Sequence, residues 1–190
     1  WTRILKEADA AGGSREKRID AARRAWYQGF VAEAIGRFCA TQDVFDSSGR
    51  HHRGVLTAAD MAGWKPRYEA PLAYDYKGWQ VHKTQAWGQG PITLQILGIL
   101  DGFDLDRMDM NGDAFIHLFV EAVKLAMADR EAWFGDPDFV DVPIARLISK
   151  EYAESRRVQI GSDASLDLRP GTIPGRTVKL PNMIGKAIPV

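Results

Sequence analysis

Histidines and carboxylates at two places in the sequence are of the types that ligate metal ions. His51 and His52 are adjacent, so their side chains point in different directions, and no nearby Cys or Glu completes a set of ligands. His117 and Glu121 are four residues apart, which places them on one face of a helix. Because two ligands alone are weak evidence for a site, we interpret this pair as surface residues or a hydrogen-bonded core histidine. We predict neither a metal ion nor a cofactor.

Candidate acids, bases and nucleophiles are equally sparse. Asp129 and Glu131 offer two carboxylates, but residues this close on a helix do not face one another, and we interpret them as solvated or ion-paired surface groups. Cys39 has no flanking His to lower the pKa of its thiol, which argues against a nucleophilic role. Arg156 and Arg157 are predicted to form a solvated face of a helix.

A glycine-rich turn, Gly88-Gln89-Gly90, has the residue type that lets backbone amides approach a phosphate. It lacks the later glycine of dinucleotide-binding loops and the Lys-Ser/Thr pair of a P-loop. Its position directly before Pro91 instead predicts a flexible turn that leads into a helix N-terminus.

Length, charge and cysteine content narrow the class of protein. The chain has 190 residues, enough for one domain with a sizeable core. Lys and Arg total 25, as do Asp and Glu; without an excess of positive charge, we expect no nucleic-acid partner. The most apolar stretch, residues 92–100, is shorter than the roughly 20 residues of a membrane span, so none is predicted. A single cysteine excludes an internal disulfide, and a periplasmic, secreted or cytoplasmic location stays open.

The first third of the chain is predicted to be helical. Residues 2–11 form one helix, and Ser14 is placed to cap the next. Residues 15–41 form one long helix or two in series, with a break at Gly29. Apolar residues recur there at three- and four-residue steps, a stripe predicted to face a core: Ile19, Ala22, Trp26, Phe30, Ala34 and Phe38.

Turn and cap residues divide the middle of the chain. Residues 43–53 are polar and predict an exposed loop. Thr57, with Asp60 three residues later, is predicted to cap a short helix. Aromatic and apolar residues on both sides of Lys77-Gly78 predict two short strands joined by a tight turn.

The remainder is predicted to be helical and then irregular. The predicted helices are residues 92–100, 113–134 and 150–158, the last capped by Ser149. Beyond residue 160 the sequence is rich in Gly and Pro without a periodic pattern, which predicts a loosely held, extended tail. We therefore divide the chain into a mainly helical portion, residues 1–160, and a tail, residues 161–190.

Several stretches in one order carry a family resemblance. The most specific is EAVKLAMADR at residues 121–130, which continues into GDPDFV at residues 135–140. The others are YQGFVAEAI (residues 27–35), residues 54–64 and 69–81, and residues 90–104, which end in ILDGFD. Together they resemble the second half of the large subunit of γ-glutamyltransferases (γ-glutamyltranspeptidases), and the resemblance covers the chain from residue 26 to about residue 171.

The resemblance implies an α+β fold that forms part of the αββα sandwich of N-terminal-nucleophile hydrolases, this portion being mainly α-helical with a short strand pair. Family precursors cut themselves into a large and a small subunit, and the new N-terminal Thr of the small subunit is the nucleophile, with its own α-amine as base. The implied partners are that small subunit, the remainder of the large subunit and a γ-glutamyl or acyl amide substrate. No catalytic residue is expected in this chain, since Thr172 and Thr177 lie in the tail without a following strand.

The loop formed by Trp87, Gly88 and Gln89 is predicted to lie at the rim of the substrate pocket. Family members that act on glutathione usually carry a Pro-rich run ending in S-S-G-G at this point, whereas this chain has TQAWGQGP at residues 84–91. The prediction is the large-subunit portion of a self-processing γ-glutamyltransferase-like amidohydrolase that transfers or hydrolyses the γ-glutamyl group of glutathione-type substrates. A cephalosporin-acylase-like amidase and a non-catalytic helical binding module are the alternatives.

Overall fold

The chain forms two compact units, residues 1–67 and residues 68–190. The computed structural model describes residues 1–178 and residue 180. The elements of the N-terminal unit are α1 (Thr2–Ala10), α2 (Arg15–Tyr27), α3 (Phe30–Thr41), β1 (Val44–Phe45), β2 (His51–His52) and α4 (Ala58–Gly63). The predicted division into a helical portion, residues 1–160, and a tail, residues 161–190, is a different one, and it stays a prediction.

Local capping signals set the helix boundaries of the N-terminal unit. The Ser14 side chain accepts a hydrogen bond from the Lys17 N–H at 3.3 Å, as an N-cap should. Thr57 and Asp60 form a reciprocal capping box at the start of α4. The predicted break at Gly29 is confirmed, since it separates α2 from α3.

Two predictions for this unit need correction. Residues 43–53 are exposed, but they form a small antiparallel pair, β1 with β2, rather than a plain loop. The apolar stripe does not face a core within the described residues: Ile19, Trp26 and Phe38 are exposed, while Ala25 and Ala32 are buried. Helical spacing identifies an apolar side, but burial also requires a surface packed against that side.

The C-terminal unit combines a hairpin with helices. Its elements are β3 (Leu72–Tyr76), β4 (Trp79–Lys83), α5 (Gly90–Leu100), a 3₁₀ turn (Leu105–Arg107), α6 (Asp113–Trp133), α7 (Ile144–Leu147) and α8 (Lys150–Arg157). β3 and β4 are antiparallel, with Tyr76 opposite Trp79. Lys77 and Gly78 between them have φ of 46° and 84°, the left-handed backbone of a two-residue hairpin turn.

The core of this unit lies where α5 packs against α6. Ile99 and Leu100 meet Leu118, Ala122 and Leu125 there, all at most 5% exposed. A second cluster joins the end of α6 to α7, α8 and the segment beyond them through Trp133, Leu147, Tyr152 and Ile173. Over the part of the chain that the structure describes, no helix combines the length and apolarity needed to cross a membrane.

Candidate functional site

A cleft of about 580 Å³ lies between the C-terminal end of α6 and the loop that precedes α5. The predicted rim residues Trp87, Gly88 and Gln89 form one wall. The other wall is formed by α6 and the turn after it, through Arg130, Glu131, Phe134 and Asp136. The structure thus brings the predicted loop to a concave surface, and its contact with substrate stays a prediction.

The loop is held in place by contacts that its small residues permit. A Cβ added to Gly90 would lie 2.5 Å from the Thr84 carbonyl oxygen, so only glycine allows this close approach. The Gln85 side-chain amide donates a hydrogen bond of 2.7 Å to the Ala70 carbonyl. Across the cleft, Arg130 Nη1 donates to Gln89 Oε1 at 3.2 Å. The Trp87 wall is therefore fixed to both the hairpin side and α6.

The lining of the cleft suits binding more than bond cleavage. Trp87 and Phe134 provide aromatic surface, and the indole of Trp87 is 47% exposed. Arg130 also pairs with Glu131 through Nε at 3.0 Å, so its charge is partly neutralised. None of the described lining residues is a Ser, Thr or Cys. The cleft offers apolar contact and hydrogen-bonding groups, without a hydroxyl or thiol nucleophile.

On the α6 side of this cleft, only Glu131 was a candidate from the sequence, where it was interpreted as a surface carboxylate; it is 37% exposed. Arg130, Phe134 and Asp136 fall in or beside the most specific block of the family resemblance. Their grouping could have been inferred from that block and from helical geometry, because Arg130 and Phe134 are one turn apart.

The residue next to Arg130 points into the protein. Asp129 and Arg156, predicted to be solvated, are 0% and 1% exposed, and Arg156 Nε lies 3.1 Å from Asp129 Oδ2. Gln95 Nε2 donates to the same oxygen at 3.1 Å, and the backbone N–H of Gly171 donates to Oδ1 at 2.7 Å. Burial raises the pKa of Asp129, and the Arg156 charge and the Gly171 hydrogen bond oppose that rise.

A second buried carboxylate lies two turns earlier on α6. Glu121 is 1% exposed; Arg169 Nη2 donates to its Oε2 at 2.5 Å, and Lys124 pairs with its other oxygen. The Ser165 N–H adds a bond of 3.2 Å. Burial raises the pKa of Glu121, but these hydrogen bonds outweigh it and hold the pKa below its usual value.

His117 and Cys39 were also considered from the sequence as functional residues. His117 Nε2 lies 2.9 Å from the Gly161 carbonyl oxygen, in keeping with a hydrogen-bonded histidine. Cys39 is partly buried, with Gly54 packed closely against it. Among the described residues, no group of three or more His, Cys, Asp or Glu side chains is arranged to hold a metal ion.

Comparison with known proteins gives the chain its class. The family model Gamma-glutamyltranspeptidase matches residues 16–179. The glutathione hydrolase proenzyme of Escherichia coli (strain K12) is 34% identical over 152 residues, which cover 78% of this chain and 24% of that protein. The solved structure of LmbA2991HD superposes with a TM-score of 0.81 at 44% identity, over 100% of this chain and 32% of its own. Cephalosporin acylase from Bacillus halodurans superposes with a TM-score of 0.64 at 32% identity, over 83% and 27% of the two chains.

The fold is a portion of the N-terminal-nucleophile hydrolase fold, mainly helical with short strand pairs, as the resemblance implied. The chain belongs to the gamma-glutamyltranspeptidase family. It spans about a quarter of the Escherichia coli relative's length, so the activity of a whole protein is a separate question.

Proposed function

We propose that this chain is the large-subunit portion of a self-processing γ-glutamyltransferase-like amidohydrolase. The observation that carries the proposal is the family match across residues 16–179. A relative that is named a proenzyme supports processing of a precursor. The chain would come from the second half of the large subunit, and its tail would lead toward the cleavage site.

In this proposal, chemistry and binding are divided between chains. Self-cleavage adds one water across a peptide bond: the C–N bond breaks, the water oxygen joins the carbonyl carbon, and the new amine belongs to a Thr. That Thr hydroxyl then attacks the amide substrate, with the Thr amine as base, and water or an acceptor amine releases the acyl group. The cleft beside Trp87 would hold part of the substrate, because it supplies aromatic surface next to the hydrogen-bonding groups of Gln89 and Arg130.

Native mass spectrometry of the purified full-length protein, with N-terminal sequencing of every chain found, tests the processing. We expect two tightly bound chains, one of which begins with Thr. An uncleaved polypeptide that remains a folded monomer would overturn the proposal and favour a binding module.

Substitution of Trp87 tests the cleft. In the assembled enzyme, we expect Trp87→Ala to raise KM about fivefold with little change in kcat, because loss of aromatic contact of about 1 kcal/mol removes substrate binding. Trp79→Ala is the matched control, since Trp79 is 77% exposed on β4 and does not line the cleft. Equal kinetic constants for Trp87→Ala and the wild-type enzyme would remove the cleft from the substrate pocket.

A second candidate function is an amidase of the cephalosporin-acylase type. Two observations favour it: the superposition on the Bacillus halodurans acylase, and the TQAWGQGP sequence where glutathione-cleaving members usually have a Pro-rich run. A panel of γ-glutamyl amides and of aliphatic and aryl acyl amides separates the two functions. Higher kcat/KM on the γ-glutamyl amides supports the first, and higher kcat/KM on the acyl amides supports the second.

A further inference from the structure

The segment of residues 165–178 has no helix or strand, yet side chains elsewhere in the C-terminal unit hold it at several points. We name it the anchored segment. Ser165 and Arg169 bond to Glu121, and the Ile173 side chain is 6% exposed within the second core cluster. Arg176 pairs with Asp141. The prediction of a loosely held tail is therefore wrong for these residues, because side chains supply the partners that a helix or sheet would otherwise provide.

Gly171 is the most constrained point of the anchored segment. Its N–H donates to Asp129, and its carbonyl accepts a hydrogen bond of 3.0 Å from Trp133 Nε1. A Cβ at this position would lie 2.1 Å from the Tyr152 hydroxyl and 2.9 Å from Arg156 Cδ. The backbone therefore lies directly against the buried charge pair, and a side chain has no room.

The charge pair also holds the backbone before Gly171, because Arg156 donates a hydrogen bond to the carbonyl of Arg169. Arg156 donates a second bond, of 3.2 Å, to the Leu125 carbonyl of α6. Asp129 and Arg156 thus each bind the anchored segment directly while they bind one another. Both partners are carried by helices, since Asp129 lies near the C-terminal end of α6 and Arg156 lies near the end of α8.

We infer that Asp129, Arg156 and Gly171 are positioning residues for self-cleavage, a conclusion that rests on the proposed function. They fix the backbone of the anchored segment at Arg169 and Gly171. Self-cleavage requires the group that attacks the peptide carbonyl to be aligned with the carbonyl carbon within a narrow range, and a displacement of about 1 Å can cost roughly a hundredfold in rate. These residues take no part in bond making. They reduce the freedom of the segment that leads to the bond.

The test measures the self-cleavage rate of the full-length precursor together with its thermal unfolding midpoint. The variants Asp129→Asn and Gly171→Ala disturb the contact in two independent ways. Arg176→Gln removes a partly exposed attachment without touching the buried pair. The matched control is Arg157→Met, because Arg157 neighbours Arg156 but donates to the carbonyls of Ile99 and Gly98 in α5 and not to the anchored segment.

We expect Asp129→Asn and Gly171→Ala to slow cleavage at least about tenfold at a temperature where they are folded, and Arg176→Gln to slow it about threefold. Arg157→Met should lower the midpoint and leave the rate unchanged. Wild-type rates in Gly171→Ala and Arg176→Gln would overturn the inference, as would slowing in all four variants in proportion to their loss of stability. In either case a wild-type precursor that still yields an N-terminal Thr leaves the proposed function intact. A wild-type precursor that does not cleave overturns both.

Discussion

The N-terminal unit and the C-terminal unit place their charged side chains differently. In the N-terminal unit, pairs such as Asp20 with Arg23 join exposed side chains close in sequence. In the C-terminal unit, Asp129 pairs with Arg156, and both are at most 1% exposed. Among the described residues, the buried polar and charged side chains all belong to the C-terminal unit: Gln95, Glu121, Asp129 and Arg156.

This difference indicates what each unit depends on. Exposed pairs contribute little free energy because water screens them, so the N-terminal unit relies on its caps and on buried apolar side chains such as Ile4 and Met61. A buried pair costs desolvation on both sides, and loss of one partner leaves an uncompensated charge. The C-terminal unit therefore depends on contacts between residues far apart in sequence, 27 residues for Asp129 with Arg156.

The largest expected effect comes from breaking the buried pair. We expect Arg156→Met to lower the free energy of unfolding by about 3–5 kcal/mol, because Asp129 would remain buried without its guanidinium partner. Urea denaturation measures the loss, and amide hydrogen exchange locates it. Protection should fall in α6 and α8 and persist in α2.

Arg157→Met is the control for that substitution. Arg157 is partly buried, and the described hydrogen bonds of its side chain go to α5 carbonyls, so we expect a loss of about 1–2 kcal/mol. Equal losses for the two variants would contradict the special role of the buried pair.

Glu121 gives a pH-dependent test of the same comparison. Glu121→Gln should cost about 2 kcal/mol at pH 7, because the amide cannot satisfy both Arg169 and Lys124. The folded state holds the Glu121 pKa below 4.5, so the stabilisation is present above the unfolded pKa and is lost as pH falls through the folded pKa. The difference between wild type and variant should therefore narrow as pH falls below 4.5.

The measurement is urea denaturation at a series of pH values. Glu131→Gln is the control, because Glu131 lies on the same helix but is 37% exposed. A gap between wild type and Glu121→Gln that stays constant from pH 7 to pH 3 would show that the Glu121 charge is not the cause.

The smallest effect is expected in the N-terminal unit. Thr57→Ala removes the capping box of α4 and should cost about 1 kcal/mol. Thr57→Ser keeps the hydroxyl and should cost less. Hydrogen exchange of the first α4 amides measures both costs. A loss of stability for Thr57→Ala as large as that for Arg156→Met would contradict the difference between the two units.

Predictions from local sequence signals were confirmed at the helix caps and the hairpin. Ser14, Thr57 and Ser149 were each predicted as N-caps, and each accepts a backbone hydrogen bond from three residues later. The strand pair around Lys77-Gly78 formed as predicted. The Trp87 loop lies in a cleft wall, but its contribution to substrate binding stays a prediction.

The failures share one cause. Asp129 was predicted to be a solvated or ion-paired surface group because it does not face Glu131, and Arg156 was predicted to lie on a solvated helix face. In both cases the partner that allows burial lies on another helix. The tail was predicted to be loose because its Gly and Pro content disfavours regular structure, although Gly171 is fixed by Asp129, 42 residues earlier. Ile19, Trp26 and Phe38 were predicted to be buried, and they are exposed.

The caps, the hairpin turn, most helix boundaries and the family were predictable from the amino-acid sequence, since these depend on residues within a turn of one another or on ordered motifs. Which charges are buried, which apolar side is covered and how the segment after α8 is held became evident only from the packing of distant parts of the chain. The physical reason is that a cap is satisfied by neighbours three residues away, whereas burial of a charge depends on a partner that folding brings from a distant part of the chain.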